Sequence, residues 1–397
     1  MFWSRLYRPF ALTNAIVARG GYLSRSTKPE FKILLEHHTI ALTIALHERA
    51  TEFLRPPRTF DVAITKTAVP SRKVLDKVPN ACVTRYCSCG YLIAINGMLV
   101  FELYQLFLKL MHFDPQIRNS VRRPPGVSAN TEEERRMAQV ANGLEILWKS
   151  ATDELGIPGD PDTLLAAMTL VQLALEFVMF HEVGHVLLGH VDYLSDTGSY
   201  ALAEFSSAAR DGSESWIAER HYLELSADRV GEWHTLRWFF ASTRDFDFDS
   251  GPGKITSSGL GAYGKAHGLF MWSVAVCVVF LCLGSWSGTE ADWDSATHPL
   301  PLLRWMQLTG RNEVLNGMLI TRVLAVLTAT NPADSERWGN LAMSFARVQR
   351  NNELQNRLKA TMALRNQINL KLKRYVEQLR QKPPILDSLN KEAGSSQ

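Results

Sequence analysis

Three histidines and two glutamates interrupt an otherwise apolar run in EFVMFHEVGHVLLGH, Glu176 to His190. Such a run has to pass through the interior of a fold, and every buried polar group in it needs a partner, because an unpartnered one costs about 1–3 kcal/mol. On a helix each residue advances about 100°, so His181 and His185 differ by about 40° and can offer both imidazoles to one ion. Glu182 lies about 100° round, beside such an ion rather than on it. Gly184 in mid-helix costs about 1 kcal/mol against alanine, which argues for a close approach there to the metal site or to a neighbouring backbone. His190 is about 140° from His185 and one residue short of the H-E-x-x-H-x-x-G-x-x-H spacing. It is read as a helix-terminal residue or a partner to a ligand, not as a ligand itself. The rival reading makes the histidines core residues of an amphipathic helix, with no metal.

A third ligand comes 39 residues after His185, in RHYLELSADRVGEWH, where Glu224 and Asp228 share a helical face four apart. Glu224 completes a His2Glu set with a fourth position open to water, the catalytic rather than the structural type of zinc site. Asp228 is placed to accept the free N–H of a ligating imidazole, fixing the ring's orientation. By itself an E-x-x-A-D face is a solvated acidic surface; beside H-E-x-x-H it reads as part of a metal site. Zinc lowers the pKa of its water to about 7, and Glu182 is positioned to take the proton as that water attacks a carbonyl.

The rest of the chain reads as mainly α (α+β), with a small sheet beside the motif helix. FKILLEHHTIALTIALHERATEFL (31–54) has helical periodicity, DVAIT (61–65) and YLIAI (91–95) read as strands, and VPSRK and VPNACV as loops between them. NGMLVFELYQLFLKLMHF (96–113) is helical, a second helix is expected around 132–155, and Asp160 before Pro161 marks the start of the motif helix. These signals divide the chain into a basic N-terminal helical region (1–58), a domain (59–310) with a polar insertion at about 113–160, a helical C-terminal region (311–382) and a flexible tail (383–397). In the C-terminal region Leu358, Ile368, Leu372, Tyr375 and Leu379 fall near heptad spacing but Thr361 and Arg365 occupy seam positions. A helix packed on the domain, or a short hairpin for self-association, is therefore expected in preference to a long coiled coil.

A net charge of +3 is too small to imply a nucleic-acid partner. Cys82, Cys87, Cys89, Cys277 and Cys282 are an odd set with no fourth partner near the first three, which favours free thiols over a disulfide framework or a zinc knuckle. The basic, acid-free first 29 residues are either a targeting or surface-seeking arm or a plain basic helix. HGLFMWSVAVCVVFLCLGSW (267–286) just reaches the length of a bilayer span, with Trp272 and Trp286 as interface anchors, but a buried core helix has the same pattern. A cytoplasmic chain is expected, single-span or peripheral membrane association being the alternative.

HEVGHVLLGH (181–190) followed by ELSAD (224–228) resembles the gluzincin zinc metallopeptidases of the HtpX and CAAX-prenyl-protease type. VPNACVTRYCSCGYLIAINGMLV (78–100) and SATHPLPLLRW (295–305) are similar to that family's flanking segments. In length and charge balance the chain is also similar to the Lit-type phage-exclusion peptidases. The resemblance implies a mainly helical gluzincin-like domain, one zinc ion held by His181, His185 and Glu224, and a protein or peptide substrate. It further implies strand addition, here along Tyr91 to Asn96. A tetrahedral intermediate needs an oxyanion donor, for which His298 and Arg304 are the candidates, Tyr222 a weaker third; Arg304 could equally pair with a structural carboxylate. The expected function is that of a zinc-dependent endopeptidase with Glu182 as general base; the alternative is a catalytically inactive, zinc-stabilised sensor or interaction protein.

Overall fold

GYLIAIN becomes the innermost strand of a three-stranded sheet because it has apolar side chains for both faces. A computed structural model describes residues 12–17, 46–47, 50, 59–65, 81–87, 90–121, 161–196, 214–242, 265–283, 304–305, 307–308, 313–330, 339 and 352–380. Strands β1 (Thr59–Thr65), β2 (Ala81–Cys87) and β3 (Gly90–Asn96) pair in the order β1-β3-β2. β1 runs parallel to β3, with Thr59 opposite Gly90, and β2 runs antiparallel to it, with Ala81 opposite Ile95 and an irregularity between Arg85 and Cys87. Tyr91, Ile93 and Ile95 face the main core with Phe60, Val62, Ile64 and Val83. Leu92 and Ala94 point the other way and, with Ala63, are covered by Leu12, Ala15 and Ile16 of the short N-terminal helical segment.

The strand readings at 61–65 and 91–95 hold, but VPNACV does not form a loop throughout: Ala81, Cys82 and Val83 open β2 and are buried. The pairing also corrects the expected strand addition along Tyr91 to Asn96. β3 is bonded on both sides, so its backbone groups are already taken, and β1 and β2 are the outer strands of the described sheet.

β3 runs straight into helix α1 (Gly97–Phe113), followed by α2 (Pro115–Val121). The motif helix is α3 (Pro161–Leu187), starting at the expected proline; α4 (His190–Asp196) is a short turn beyond it. Then come α5 (Glu214–Ser242), α6 (Lys265–Leu283), α7 (Glu313–Thr330), α8 (Asn352–Ala363) and α9 (Arg365–Arg380). α3 is central, packed chiefly on α5 and also on α1, α6 and the sheet. Its apolar residues therefore go all the way round, as they must in a helix with neighbours on every side.

α6 is one of those neighbours. Met271, Trp272 and Val274 through Cys282 are buried, and the Trp272 ring meets Phe177 of α3 edge-on at 6.4 Å, so this tryptophan is a core residue and not an interface anchor. Trp286 lies outside the described residues. Among the described residues the helix long and apolar enough to cross a bilayer is α3 itself, over Ala166–Leu187, and 89% of its most apolar window is inside the fold. The C-terminal helices pack on the domain through Leu354, Leu358, Ile368, Leu372 and Tyr375. Thr361, one of the two polar residues on the expected seam, is buried there at the break between α8 and α9, and Arg365, the other, is exposed. Cys82, Cys87, Cys277 and Cys282 are free thiols, while Cys89, the expected helix at 132–155 and the tail from 383 lie outside the described residues.

One half-buried ion pair ties α7 to the turn between α1 and α2. Asp114 Oδ1 accepts the backbone N–H of Gln116 and of Ile117, both at 2.9 Å, and so caps α2. Arg322 donates to the same carboxylate from Nε at 2.9 Å and Nη2 at 2.8 Å. Burial pushes the Asp114 carboxyl up, but Arg322 and the two N–H groups more than reverse this and hold it below the usual carboxylate range. A carboxylate so depressed stabilises the fold fully above its unfolded pKa of about 3.9 and loses that contribution as pH falls towards its folded value. Asp114→Ala is expected to cost about 1–2 kcal/mol at pH 7. In urea denaturation, the gap between the variant and the native chain should close as pH drops below about 4.

Candidate metal centre

Two glycines decide how near α3 and α5 can lie. A Cβ on Gly184 would stand 2.9 Å from Val230 Cβ and 3.1 Å from the Ala227 carbonyl oxygen. A Cβ on Gly231 would meet the Phe177 carbonyl at 3.2 Å and the His181 nitrogen at 3.3 Å. The close approach expected at Gly184 is thus to the backbone of α5, and it is reciprocated one helix over. With the axes this close, Glu224 of α5 reaches the two histidines of α3.

His181 Nε2 and His185 Nε2 are 3.0 Å apart, Glu224 Oε2 is 3.4 Å from the first and Oε1 3.4 Å from the second. His181, His185 and Glu224 form the one group of this kind among the described residues that could hold a metal ion. A tetrahedral ion with bonds of about 2.0–2.2 Å keeps its ligand atoms about 3.3–3.6 Å apart, so the three donors fit one ion with little movement. Glu182 is buried next to His181, with 1% of its surface exposed.

Around the donors the expected support is present and more extensive than the motif shows. Asp228 Oδ1 accepts the Nδ1–H of His181 at 2.9 Å. Arg304 grips Asp228 with a fork, Nε to Oδ2 and Nη2 to Oδ1 both at 2.8 Å, while its Nη2 lies 3.5 Å from Glu224 Oε2 and its guanidinium sits 5.0 Å over the Phe280 ring. Of the two roles open to Arg304, pairing with a carboxylate is the one observed. His298, the other oxyanion candidate, lies outside the described residues. Tyr222 is two residues before Glu224, about 200° round the helix, and donates to Asn369 of α9 at 3.0 Å, away from the centre.

His190 is a partner to a ligand, one of the two roles expected for it, and it reaches that place by a chain reversal. α3 ends at Leu187, Gly189 takes φ +75°, a left-handed conformation that glycine adopts freely, and its N–H bonds back to the Val186 carbonyl at 2.9 Å. The chain turns and His190 Nδ1 arrives 3.0 Å from His185 Nδ1. Two residues on, Asp192 accepts from Tyr91 Oη of β3 and Arg85 Nη1 of β2, both at 2.9 Å, so the sheet holds α4 in place. The G-H pair closing the apolar run was the available signal for this reversal; nothing local marks Asp192.

Electrostatics separate the two donor histidines. Burial opposes charge on His181, but Asp228 and Glu224 outweigh it and raise the ring's pKa to about 10. Burial dominates at His185, Glu224 only partly offsetting it, and its pKa falls to about 4. At neutral pH His181 is the proton donor and His185 the acceptor across the 3.0 Å between their Nε2 atoms. A metal ion that takes both nitrogens displaces that proton, so binding is coupled to proton release. Asp228 is pushed up by burial and pulled further down by Arg304 and His181, which keeps it ionised.

Gly184→Ala separates two opposed effects. In an open helix position it gains about 1 kcal/mol of propensity; here the added methyl meets Val230 and the Ala227 carbonyl, and overpacking of this kind costs about 1–3 kcal/mol. The expected outcome is a lower melting temperature together with weaker binding of a divalent metal ion by isothermal titration. A stabilised variant with unchanged metal affinity would show that the helices do not depend on this contact.

No family model matches the chain, and no match was found among curated proteins or solved structures.

Proposed function

We propose that the chain is a zinc-dependent endopeptidase of gluzincin type, with His181, His185 and Glu224 holding one Zn2+ and Glu182 as general base. The observation that carries this reading is the convergence of a His-His-Glu donor set with a neighbouring buried glutamate that is not one of the donors. A purely structural zinc site is closed by four protein ligands and needs no acid beside the metal. When bound, the ion lowers the pKa of a water to about 7 and polarises the scissile carbonyl.

Glu182 takes the proton from the attacking water as the new C–O bond forms, and delivers it to the amide nitrogen as the C–N bond breaks. Asp228, kept ionised by Arg304, holds His181 in the orientation that aims Nε2 at the donor cluster. An extended peptide would lie along the edge of β2, the strand that packs against both α3 and α4, in place of the paired β3.

The alternative, a zinc-stabilised sensor or interaction protein, draws on the depth of the centre, whose donors are each 1–2% exposed. The C-terminal helices, which pack over α5, would then be its partner-binding region. The two readings part on Glu182→Gln. That variant is expected to keep one zinc per chain by metal analysis and to lose about 10²- to 10⁴-fold in chelator-sensitive cleavage of an unfolded protein substrate. Cleavage at the native rate would sink the mechanism, and absence of cleavage by the native chain with zinc bound would favour the sensor.

A further inference from the structure

His185 has a different kind of partner from His181. Where His181 Nδ1 faces the carboxylate of Asp228 at 2.9 Å, His185 Nδ1 faces another imidazole, His190 Nδ1, at 3.0 Å. Two neutral imidazoles can share that contact in only one sense at a time, and which nitrogen of His185 is left bare depends on it.

The sense is set from outside the pair. Ser226 Oγ donates its hydrogen to the Leu223 carbonyl at 3.0 Å, a bond within α5, so towards His190 it presents a lone pair. His190 Nε2 lies 3.5 Å from that oxygen and is fully buried with its ring, so its hydrogen belongs on Nε2. Nδ1 of His190 is then bare and accepts from His185 Nδ1–H, and the hydrogen of His185 is drawn away from Nε2. Nε2 is the nitrogen that stands 3.0 Å from His181 Nε2 and 3.4 Å from Glu224.

We propose that His190 is a positioning residue of the metal centre: its bare Nδ1 accepts the Nδ1–H of His185 and leaves His185 Nε2 free for the ion. The proposal rests on the metal-centre reading above. The relay runs from the Leu223 carbonyl through Ser226 and His190 to His185. It is anchored at its other side by Asp192, which Tyr91 and Arg85 tie to the sheet. The neutral partner also matters: with a carboxylate already behind His181, a second one behind His185 would add an uncompensated negative charge to a buried site.

The test uses the full-length chain, labelled with ¹⁵N-histidine, and Zn2+ as the probe. Long-range ¹⁵N–¹H spectra are expected to show His185 protonated on Nδ1 and His190 on Nε2. His190→Phe, which fills the space without an acceptor, is expected to weaken zinc binding about 10- to 100-fold, and His190→Gln, which restores an acceptor oxygen, to recover most of it. An Nε2–H tautomer at His185, a Phe variant that binds zinc like the native chain, or a Gln variant as weak as the Phe variant would each overturn the proposal. If His190→Phe does not fold, the native tautomer and the His190→Gln affinity still decide. A native chain that takes up no zinc would overturn the metal centre itself, whereas zinc uptake indifferent to His190 would remove only the relay.

Discussion

The contact between Gly184 and Ala227, with its counterpart between Gly231 and Phe177, sets the distance on which the whole centre depends. Two helices packed through ordinary side chains lie about 8–10 Å apart, and a carboxylate on one reaches a ring on the other only where the small residues fall. Here both glycines sit within one turn or two of the donors, so the backbones of α3 and α5 come close beside His181, His185 and Glu224. The remaining apolar residues of α3 fill the space on its other sides against α1, α6 and the sheet, which stops the helix from rotating. Packing thus fixes the directions of the donors before any ion is considered, and this is what makes a pre-organised site.

Burying so many ionisable groups together would be ruinous without mutual compensation, since a single uncompensated buried charge costs several kcal/mol. The arrangement answers this in a definite order. Arg304 neutralises Asp228 through two parallel bonds, Asp228 and Glu224 face His181, and His185 and His190 stay neutral because burial lowers both rings' affinity for a proton. Each group's state follows from its neighbour's, so the cluster behaves as one network. The exterior anchors are chemically plain by comparison: a tyrosine and an arginine from the sheet on Asp192, and an arginine from α7 on the cap of α2.

Much of this was legible in the sequence, and what was missed has physical causes. The donors were readable because metal ligation imposes a helical spacing and a small set of residue types, and α1, α3 and β3 because their apolar patterns are long and uninterrupted. The start of β2 has the pattern of a loop because Pro79 and Asn80 are turn residues and Arg85 and Thr84 dilute the strand signal; only pairing with β3 reveals it. Trp272 was ambiguous because a helix buried in protein and a helix buried in lipid need the same composition. His190 reads correctly as a partner to a ligand, but the chain reversal that brings it there does not, and the contact at Asp192 joins residues about 100 positions apart. Arg304 was found as a motif residue, but whether its guanidinium meets a substrate or a carboxylate is decided by packing alone.

The sheet's role follows from its topology. With β3 paired on both sides, the core-facing residues of the sheet pack against the helices, and β2 lies on its outer side. β2 also carries Arg85, one of the two residues that hold Asp192 and hence α4. β2 therefore helps to fix the short helix that brings His190 to His185. A centre assembled in this way has its donors on α3 and α5, Asp228 on α5 beside Glu224, and His190 on α4, which the sheet ties down through Asp192. These elements are joined by bonds between polar side chains, so displacing any one of them disturbs the donors through a physical contact that can be named.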